Sequence, residues 1–321
     1  MYFFSMQPLK ASYSFVICLF FAIAAMAQTA TAQTATSSTS TTNMNYEIES
    51  DAADRIVLAS KLRTLTQQVA AASCAVTSDI NVSEAHEVLE EATGEFDRYI
   101  VALRDGDQTL HILEPEKSGR ILRDIEHLRT EWMAIHRAID SVLVNEDDVD
   151  ASHLIDDHNL KLLELTTILQ SDISGRYANP YEMTAADAMM VDIAGRQLIQ
   201  TQKMAKPTSD SCEVWTGYNA EAAREDLRAT MQTFEVSLNA LRDGMPSAGL
   251  QPAPTEKIRD DLDILLRRWS VIRVNQQTLV DGGELDEAQK AEIFHDLQLE
   301  LEDLRTLLYD YREYAERNHA G

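Results

Sequence analysis

The chain is short of positive charge and of catalytic motifs. Its 321 residues include 28 Lys and Arg against 53 Asp and Glu, a formal net charge of −25. A field of this sign repels phosphate backbones and anionic membrane surfaces, so we expect no nucleic-acid partner. A nucleophile elbow, a phosphate-binding loop, a metalloprotease motif and a Cys-x-x-Cys-His haem site are all missing. These absences predict a protein that is not an enzyme and carries no cofactor.

Metal-ligand clusters are scarce as well. Glu292 and His295 have the carboxylate-imidazole spacing of di-iron bundles, which need two such pairs. The equivalent of Glu292 in the first half of the chain is Ile155. The acidic run 146–150 lacks the alternating ligands and central glycine of a calcium loop. We therefore expect no metal site.

One long apolar run is present, and it lies at the N-terminus. It extends from Phe15 to Ala27, follows Lys10 and ends in small residues. Its 13 residues are fewer than the ~20 that span a bilayer, so residues 1–27 are predicted to be a cleaved secretory signal peptide. The protein is then periplasmic or otherwise extracytoplasmic; an uncleaved N-terminal membrane anchor is the alternative. Residues 28–45, rich in Ala, Thr, Ser and Gln, predict a flexible tether.

Cysteine is rare, with three residues. Cys18 lies inside the predicted signal peptide, which leaves Cys74 and Cys212. An isolated pair in an oxidising compartment is a candidate disulfide. Two unpaired thiols are the alternative.

What the sequence does contain is a long internal repeat. Residues 59–70 return as 194–205, and Ala-Leu-Arg-Asp-Gly at 102–106 returns unchanged at 240–244. Three further landmarks, Cys74, Trp132 and His158, return as Cys212, Trp269 and His295. All these pairings have an offset between 135 and 138. A constant offset predicts two copies of one module, which we place at residues 46–178 and 181–318.

Each copy has the apolar periodicity of four amphipathic helices. In the first helix the apolar residues step by four and three, as in a heptad seam: Leu58, Leu62, Leu65, Val69 and Ala72. Period-two alternation is rare, so strands are not expected. The predicted fold class is all-α, with two tandem antiparallel four-helix bundles that can pack as a pseudo-dimer through their first helices.

Local signals place several helix ends and core residues. Ser83 is expected to cap the second helix and Gly106 to end it. Asn179-Pro180 separates the modules, because the residue before proline avoids helical geometry. In module two, breaks are expected at Pro207, at 244–254 and at 282–283. Trp132 and Trp269 are expected to be core anchors.

The repeated first helix is unusual because it lacks negative charge. Residues 55–78 and 193–209 contain no Asp or Glu, yet each stretch has three basic residues. This pattern fits a site for a small anion, with charged and neutral donors. The candidate ligand-binding residues are Lys61, Arg63, Thr66, Gln67, Arg196, Gln197, Thr201 and Gln202. The alternative is that this helix is the most enclosed of its bundle and therefore carries few charges.

The same helix resembles a known family. Ala-Gly-Arg-Gln at 194–197 and Gln-Lys-Met-Ala-Lys at 202–206 are similar to the signature of the type IV pili methyl-accepting chemotaxis transducer N-terminal (PilJ-like) domain. That signature typically reads Ala-Gly-Arg-Gln-Arg-Met-Leu-Ser-Gln-Arg-Met-Ala-Lys. Module one has Ser60 and Lys61 in place of the Gly-Arg pair. The resemblance covers about thirteen residues in each copy.

The resemblance implies an extracytoplasmic four-helix sensor module, related to the periplasmic sensor domain of nitrate/nitrite sensor kinases. In those sensors an arginine of the first helix holds the anion together with its mate across a dimer interface. The matching position is Arg63 in module one but Leu198 in module two, so a symmetric clamp is not expected. A site with one arginine, or with Lys61 and Arg196, is left.

We therefore expect an exported, non-enzymatic sensor-type protein that binds a small ligand, with an oxyanion such as nitrate or nitrite as the candidate. The sequence shows no transmembrane or cytoplasmic signalling region after module two, so a membrane receptor or other envelope protein is the expected partner. The alternative is a helical adaptor or structural envelope protein without a small ligand. Whether the chain forms homo-oligomers is left open.

Overall fold

The computed structural model describes residues 38–178, 184–208 and 220–319, with side chains from Asp51 onward. The predicted signal peptide, the Asn179-Pro180 linker and Cys212 lie outside the described residues. Residues 44–321 form one compact unit that contains both modules.

The described residues form eight α-helices, four in each module. Module one contains α1 (Ser38–Val76), α2 (Val82–Asp105), α3 (Gly119–Val144) and α4 (Val149–Tyr177). Module two contains α5 (Ala185–Ala205), α6 (Ala220–Asp243), α7 (Glu256–Val280) and α8 (Glu287–His319). Short 3₁₀ helices follow α2, α5 and α6, at Gln108–Leu110, Lys206–Thr208 and Pro246–Ala248. In these ranges there is no strand, only two isolated β-bridges, so the predicted all-α class is confirmed.

The helices of each module pack as a bundle around an apolar axis. In module two, α5 and α7 each contact both α6 and α8. In module one, α3 contacts α2 and α4, and α1 reaches α4 through its side chains. The predicted seam of α1 is buried, with Leu58 the most exposed member at 4 %. Trp132 and Trp269 are core residues as predicted, and each ring packs on a phenylalanine of the preceding helix.

Most helix ends fall where the sequence places them. Gly106 and Gly244 end α2 and α6 with positive φ angles of 87° and 81°, a conformation that glycine adopts without steric cost. The predicted cap of α2 is wrong. Asn81, not Ser83, precedes the helix, in a left-handed conformation with a φ of 46° and no side-chain cap hydrogen bond. At the other end of the chain's first helix, α1 already begins at Ser38 and so includes the last residues of the predicted tether.

The contacts between the two modules involve their first and fourth helices, and His295 of α8 also contacts Glu84 of α2. Gln68 of α1 donates to Gln298 Oε1 of α8 at 3.4 Å and accepts a hydrogen bond from Arg305 at 3.3 Å. In the reverse direction, Lys206 after α5 forms an ion pair with Asp156 of α4. These contacts pair α1, or the segment after α5, with the fourth helix of the other module; a pseudo-dimer in which the two first helices face each other stays a prediction. No helix in the described ranges is long and apolar enough to span a membrane.

Candidate ligand-binding site at the repeated helices

The first helix of module one is deeply enclosed. Every residue from Thr64 to Val76 is buried, because α1 lies between its own bundle and α8 of module two. The enclosure that explains the scarcity of charge in this helix is therefore present. It also means that any polar side chain on this stretch must find a partner inside the protein.

Arg63 is the charged exception, at the edge of this enclosed stretch. Its Nη1 donates to Gln170 Oε1 of α4 at 2.5 Å, while its buried Nε has no hydrogen-bond partner among the described residues. Burial lowers the pKa of Arg63, the positive charge of Arg196 lowers it further, and the Asp192 carboxylate raises it. The structure thus brings the signature arginines of the two modules within electrostatic reach of each other.

Arg196 itself is largely exposed, at 65 % of its side chain. It forms an ion pair with Asp192, one turn earlier on α5, at 2.7 Å. An exposed pair of this kind contributes at most about 1 kcal/mol, so the Arg196 guanidinium is available to a competing anion. Gln200, one turn further along α5, has a buried Oε1 without a hydrogen-bond partner among the described residues.

Thr66 and Gln67 use their polar groups within module one. Gln67 Nε2 donates to Asn159 of α4 and to Thr66 Oγ1, and Asn159 Nδ2 donates to the Thr66 carbonyl at 3.4 Å. Thr66 Oγ1 in turn donates to the Arg63 carbonyl at 2.8 Å. This closed set links α1 to α4, and the hydrogen bonds of these two residues are made inside the bundle.

The equivalent residues of α5 are less well satisfied. Gln197 Nε2 and Thr201 Oγ1 donate to carbonyls of their own helix, and Gln202 Oε1 accepts from Gln298 at 3.4 Å. Gln197 Oε1 and Gln202 Nε2 are buried without a partner among the described residues. Buried polar atoms of this kind are usually paired, and an ordered water molecule or a polar ligand would supply the missing hydrogen bonds.

Lys61, the remaining candidate, is separate from this group. It is exposed, and its ammonium lies 5.4 Å from the centre of the Tyr99 ring on α2. Partial burial lowers the pKa of Lys61, as do Arg305 and Arg312, while Glu95 raises it. The structure thus groups Arg63 with Arg196 and places Lys61 on another face of α1.

Sequence reasoning missed a buried carboxyl in module two. Glu300 of α8 is fully buried, with one oxygen 3.1 Å from Arg268 Nη1 and the other unpaired among the described residues. Burial raises the pKa of Glu300 to about 8, although Arg268 opposes this shift. The sequence indicates this burial only through the position of Glu300, between Leu297 and Leu304 on the apolar side of α8.

The two repeated histidines form separate carboxylate pairs. His158 Nδ1 lies 2.6 Å from Glu131, and His295 Nδ1 lies 2.9 Å from Glu84 of the other module. Within the described part of the chain, no group of three or more His, Cys, Asp or Glu residues could hold a metal ion. Each imidazole therefore has a carboxylate partner, in the same module for His158 and in the other module for His295.

Comparison with known proteins identifies the repeated module. No curated protein matches the chain significantly. The sequence profile described as "Type IV pili methyl-accepting chemotaxis transducer N-term" matches residues 45–158 and 182–294, once in each module. The two matches together span more than half of the chain, and each covers the first three helices of one bundle and the beginning of the fourth. The chain therefore belongs to the PilJ family of type IV pili methyl-accepting chemotaxis transducer N-terminal domains, of which it carries two tandem copies.

Proposed function

We propose that this protein is an exported, non-enzymatic sensor module that binds a small oxyanion, with nitrate and nitrite as first candidates, and acts with a membrane signalling partner. Family membership supports the sensory role, because PilJ domains are the N-terminal domains of chemotaxis transducers. The ligand and the partner are the further steps of the proposal.

The observation that carries the ligand proposal is the convergence of Arg63 and Arg196 from different modules. The charge of Arg196 lowers the pKa of Arg63, so the two cations destabilise each other in the free protein. An anion between them would relieve this repulsion and could accept hydrogen bonds from both guanidinium groups. The unpaired Arg63 Nε is the donor that such a ligand would satisfy.

The arrangement differs from a symmetric clamp. Arg63 and Arg196 occupy different positions of the repeated motif, and Leu198 stands where module two would need the equivalent of Arg63. Asp192 already neutralises part of the charge on Arg196. The proposed site is therefore asymmetric, and binding must displace an exposed ion pair.

The test is the melting temperature of the purified protein across a panel of sodium salts, including nitrate, nitrite, sulfate and chloride at equal ionic strength. A ligand that binds only the folded state increases the free energy of unfolding, by about 2.7 kcal/mol at a hundredfold excess over Kd, and so raises the melting temperature. We expect a saturable shift for one anion that is lost in Arg63→Ala and reduced in Arg196→Ala.

The matched control is Arg137→Ala, which removes an exposed arginine of α3 that has no ion-pair partner among the described residues. It should keep the anion response. If no anion shifts the wild-type protein, or if Arg137→Ala loses the shift equally, the ligand proposal is wrong and an adaptor without a small ligand becomes the better interpretation.

We also propose that the signal peptide is cleaved and that Cys74 pairs with Cys212 across the modules. Cys74 is fully buried in the enclosed stretch of α1 from Thr64 to Val76, and Cys212 is its counterpart in the repeat. The intact mass of protein recovered from the periplasm tests both points. Cleavage near Ala27 gives a mature N-terminus at Gln28, and reduction of a disulfide adds the mass of two hydrogens; an unchanged mass after reduction would exclude the bond.

A further inference from the structure

Helix α7 carries an apolar seam that faces inward and a second seam, of three apolar residues and one arginine, that faces outward. The inward seam packs in the bundle core and includes Ile258, Leu262, Leu265, Trp269, Ile272 and Leu279. The second seam, called here the α7 outer seam, consists of Ile264, Arg267, Val271 and Val274. Its steps of three, four and three residues match the spacing of the a and d positions in a coiled-coil helix.

The outer seam is exposed in the structure. Ile264, Val271 and Val274 are 41 %, 51 % and 64 % exposed. They lie on one face of the helix: Val271 and Val274 are on adjacent turns, and Ile264 is two turns before Val271, with Arg267 between them.

The bundle itself does not require this stripe. With Trp132 and Trp269 aligned, α3 of module one has His127, Thr130, Ala134 and Arg137 at the four seam positions. The same fold is therefore built with polar or small residues there. The apolar seam is a property of α7 alone within this pair of equivalent helices.

The seam is also basic in a chain that is strongly acidic. Residues 264–280 contain three arginines and no Asp or Glu, whereas the whole chain has a net charge of −25. Arg267 forms no ion pair with any described residue. Arg273 is 52 % exposed, and its contact with Glu235 is loose, at 3.8 Å.

We propose that the α7 outer seam docks an amphipathic helix of another protein, one whose apolar residues are flanked by Asp and Glu. Apolar contacts would cover Ile264, Val271 and Val274, and the acidic flanks would pair with Arg267 and Arg273. A second copy using the same seam is disfavoured, because a symmetric contact would bring the unpaired arginines of both copies together.

The proposal is independent of the anion site, since Arg63 and Arg196 lie on other helices. It is tested with the full chain and a synthetic three-heptad peptide that has Leu at positions a and d and Glu at e and g. A second peptide carries Lys in place of Glu. Fluorescence anisotropy of the labelled peptides at 0.15 M NaCl gives the affinities. We expect the Glu peptide to bind at least about tenfold more tightly than the Lys peptide.

The decisive variant is Val274→Glu, with Met133→Glu of α3 as its matched control. Both positions are solvent-exposed helix residues, at 64 % and 63 %, and both changes add one negative charge. Val274→Glu should weaken the Glu peptide at least about tenfold, while Met133→Glu should leave it within about twofold. Unchanged melting temperatures confirm that both variants are folded.

Three results of the peptide experiment would overturn the proposal: no binding of the Glu peptide, equal binding of both peptides, or equal loss in both variants. Analytical ultracentrifugation of the wild-type chain tests whether a second copy of the chain occupies the seam instead. A dimer that Val274→Glu abolishes would assign the seam to a second copy instead. None of these outcomes changes the expected anion response.

Discussion

Glu300 is a buried carboxyl whose raised pKa predicts a pH-dependent stability. Burial raises the pKa of its carboxyl from 4.5 to about 8 in the folded protein. Between these values the folded state binds the extra proton, so the contribution of Glu300 to the free energy of unfolding falls as pH rises and is lost above about pH 8. We predict that Glu300→Gln flattens the melting temperature against pH over this range and melts higher than wild type at pH 9. Calorimetry from pH 5 to 9 measures this.

The control for that experiment is Glu292→Gln, an exposed carboxyl on the same helix. The large excess of other acidic groups contributes equally to both variants, so only the difference between their profiles is informative. Parallel profiles for wild type and Glu300→Gln would show that Glu300 is ionised throughout.

A second buried charge network lies at one end of module one. Arg55 is 2 % exposed and contacts Asp51 at 2.8 Å and Glu116 at 3.7 Å, and Tyr177 donates to Glu116 at 2.8 Å. We predict that Arg55→Met costs about 3 kcal/mol, because it removes the buried cation of Glu116 and leaves only the half-exposed Arg176, at 3.9 Å. Urea unfolding followed by circular dichroism measures the loss.

Module two suggests the compensating change. Met190 stands at the repeat position of Arg55, and Ala253 makes the backbone hydrogen bond that Glu116 makes in module one. The double variant Arg55→Met/Glu116→Ala should therefore be more stable than Arg55→Met alone. If the two losses simply add, the network is not coupled.

These residues also show where sequence reasoning ends. The absence of acid in the first helix pointed to Arg63 and Arg196, and the structure places them near each other. Lys61 belonged to the same sequence pattern but faces Tyr99, because one residue along a helix rotates the side chain by about 100° and the pattern alone fixes no partner. Glu300 was missed because the partner that keeps a buried carboxyl tolerable, Arg268, lies 32 positions away.

At the scale of elements, the two α-hairpin loops repeat one design. Asp107 and Ile112 form an antiparallel bridge in module one, as Met245 and Leu250 do in module two. Each loop starts with a glycine of positive φ, which the identical Ala-Leu-Arg-Asp-Gly sequences predict. The cap of α2 could not be predicted in the same way, because the left-handed φ of Asn81 depends on how the chain leaves α1.

The module-two loop separates backbone strain from steric clash. Gly244 and Gly249 have similar φ angles of 81° and 78°, but a Cβ on Gly244 would lie 2.9 Å from Pro252 N, whereas a Cβ on Gly249 would meet nothing within 4 Å. We predict that Gly249→Ala costs about 1 kcal/mol for conformation alone. Gly244→Ala should cost about 2 kcal/mol or more, because the backbone must also move. Equal losses in thermal unfolding would mean that the loop relaxes freely.

At the scale of the whole molecule, the repeat predicted the architecture but not the contacts that join its halves. Duplication implied a pair of bundles, and the periodicity placed their helices. The joining contacts are specific to one copy: Gln68 has Lys203 as its repeat counterpart, and Asp156 has Ile293. The contact surfaces of the two modules therefore differ in sequence. A pattern within one module does not show which residues of the other module it contacts.

The ion pair between Lys206 and Asp156 tests whether the modules unfold as one unit. Both side chains are about three-quarters buried, with 24 % and 26 % exposed. Asp156→Lys places like charges at this contact, so we predict a loss of about 1–2 kcal/mol, which lowers the melting temperature by roughly 2–6 °C. The exchange Asp156→Lys/Lys206→Asp should regain most of it, while Asp157→Lys, an exposed neighbour, should have little effect. Calorimetry should show a single transition for wild type and for the exchanged pair, because this contact couples the stability of one bundle to that of the other. Two transitions in wild type would mean that the modules unfold independently.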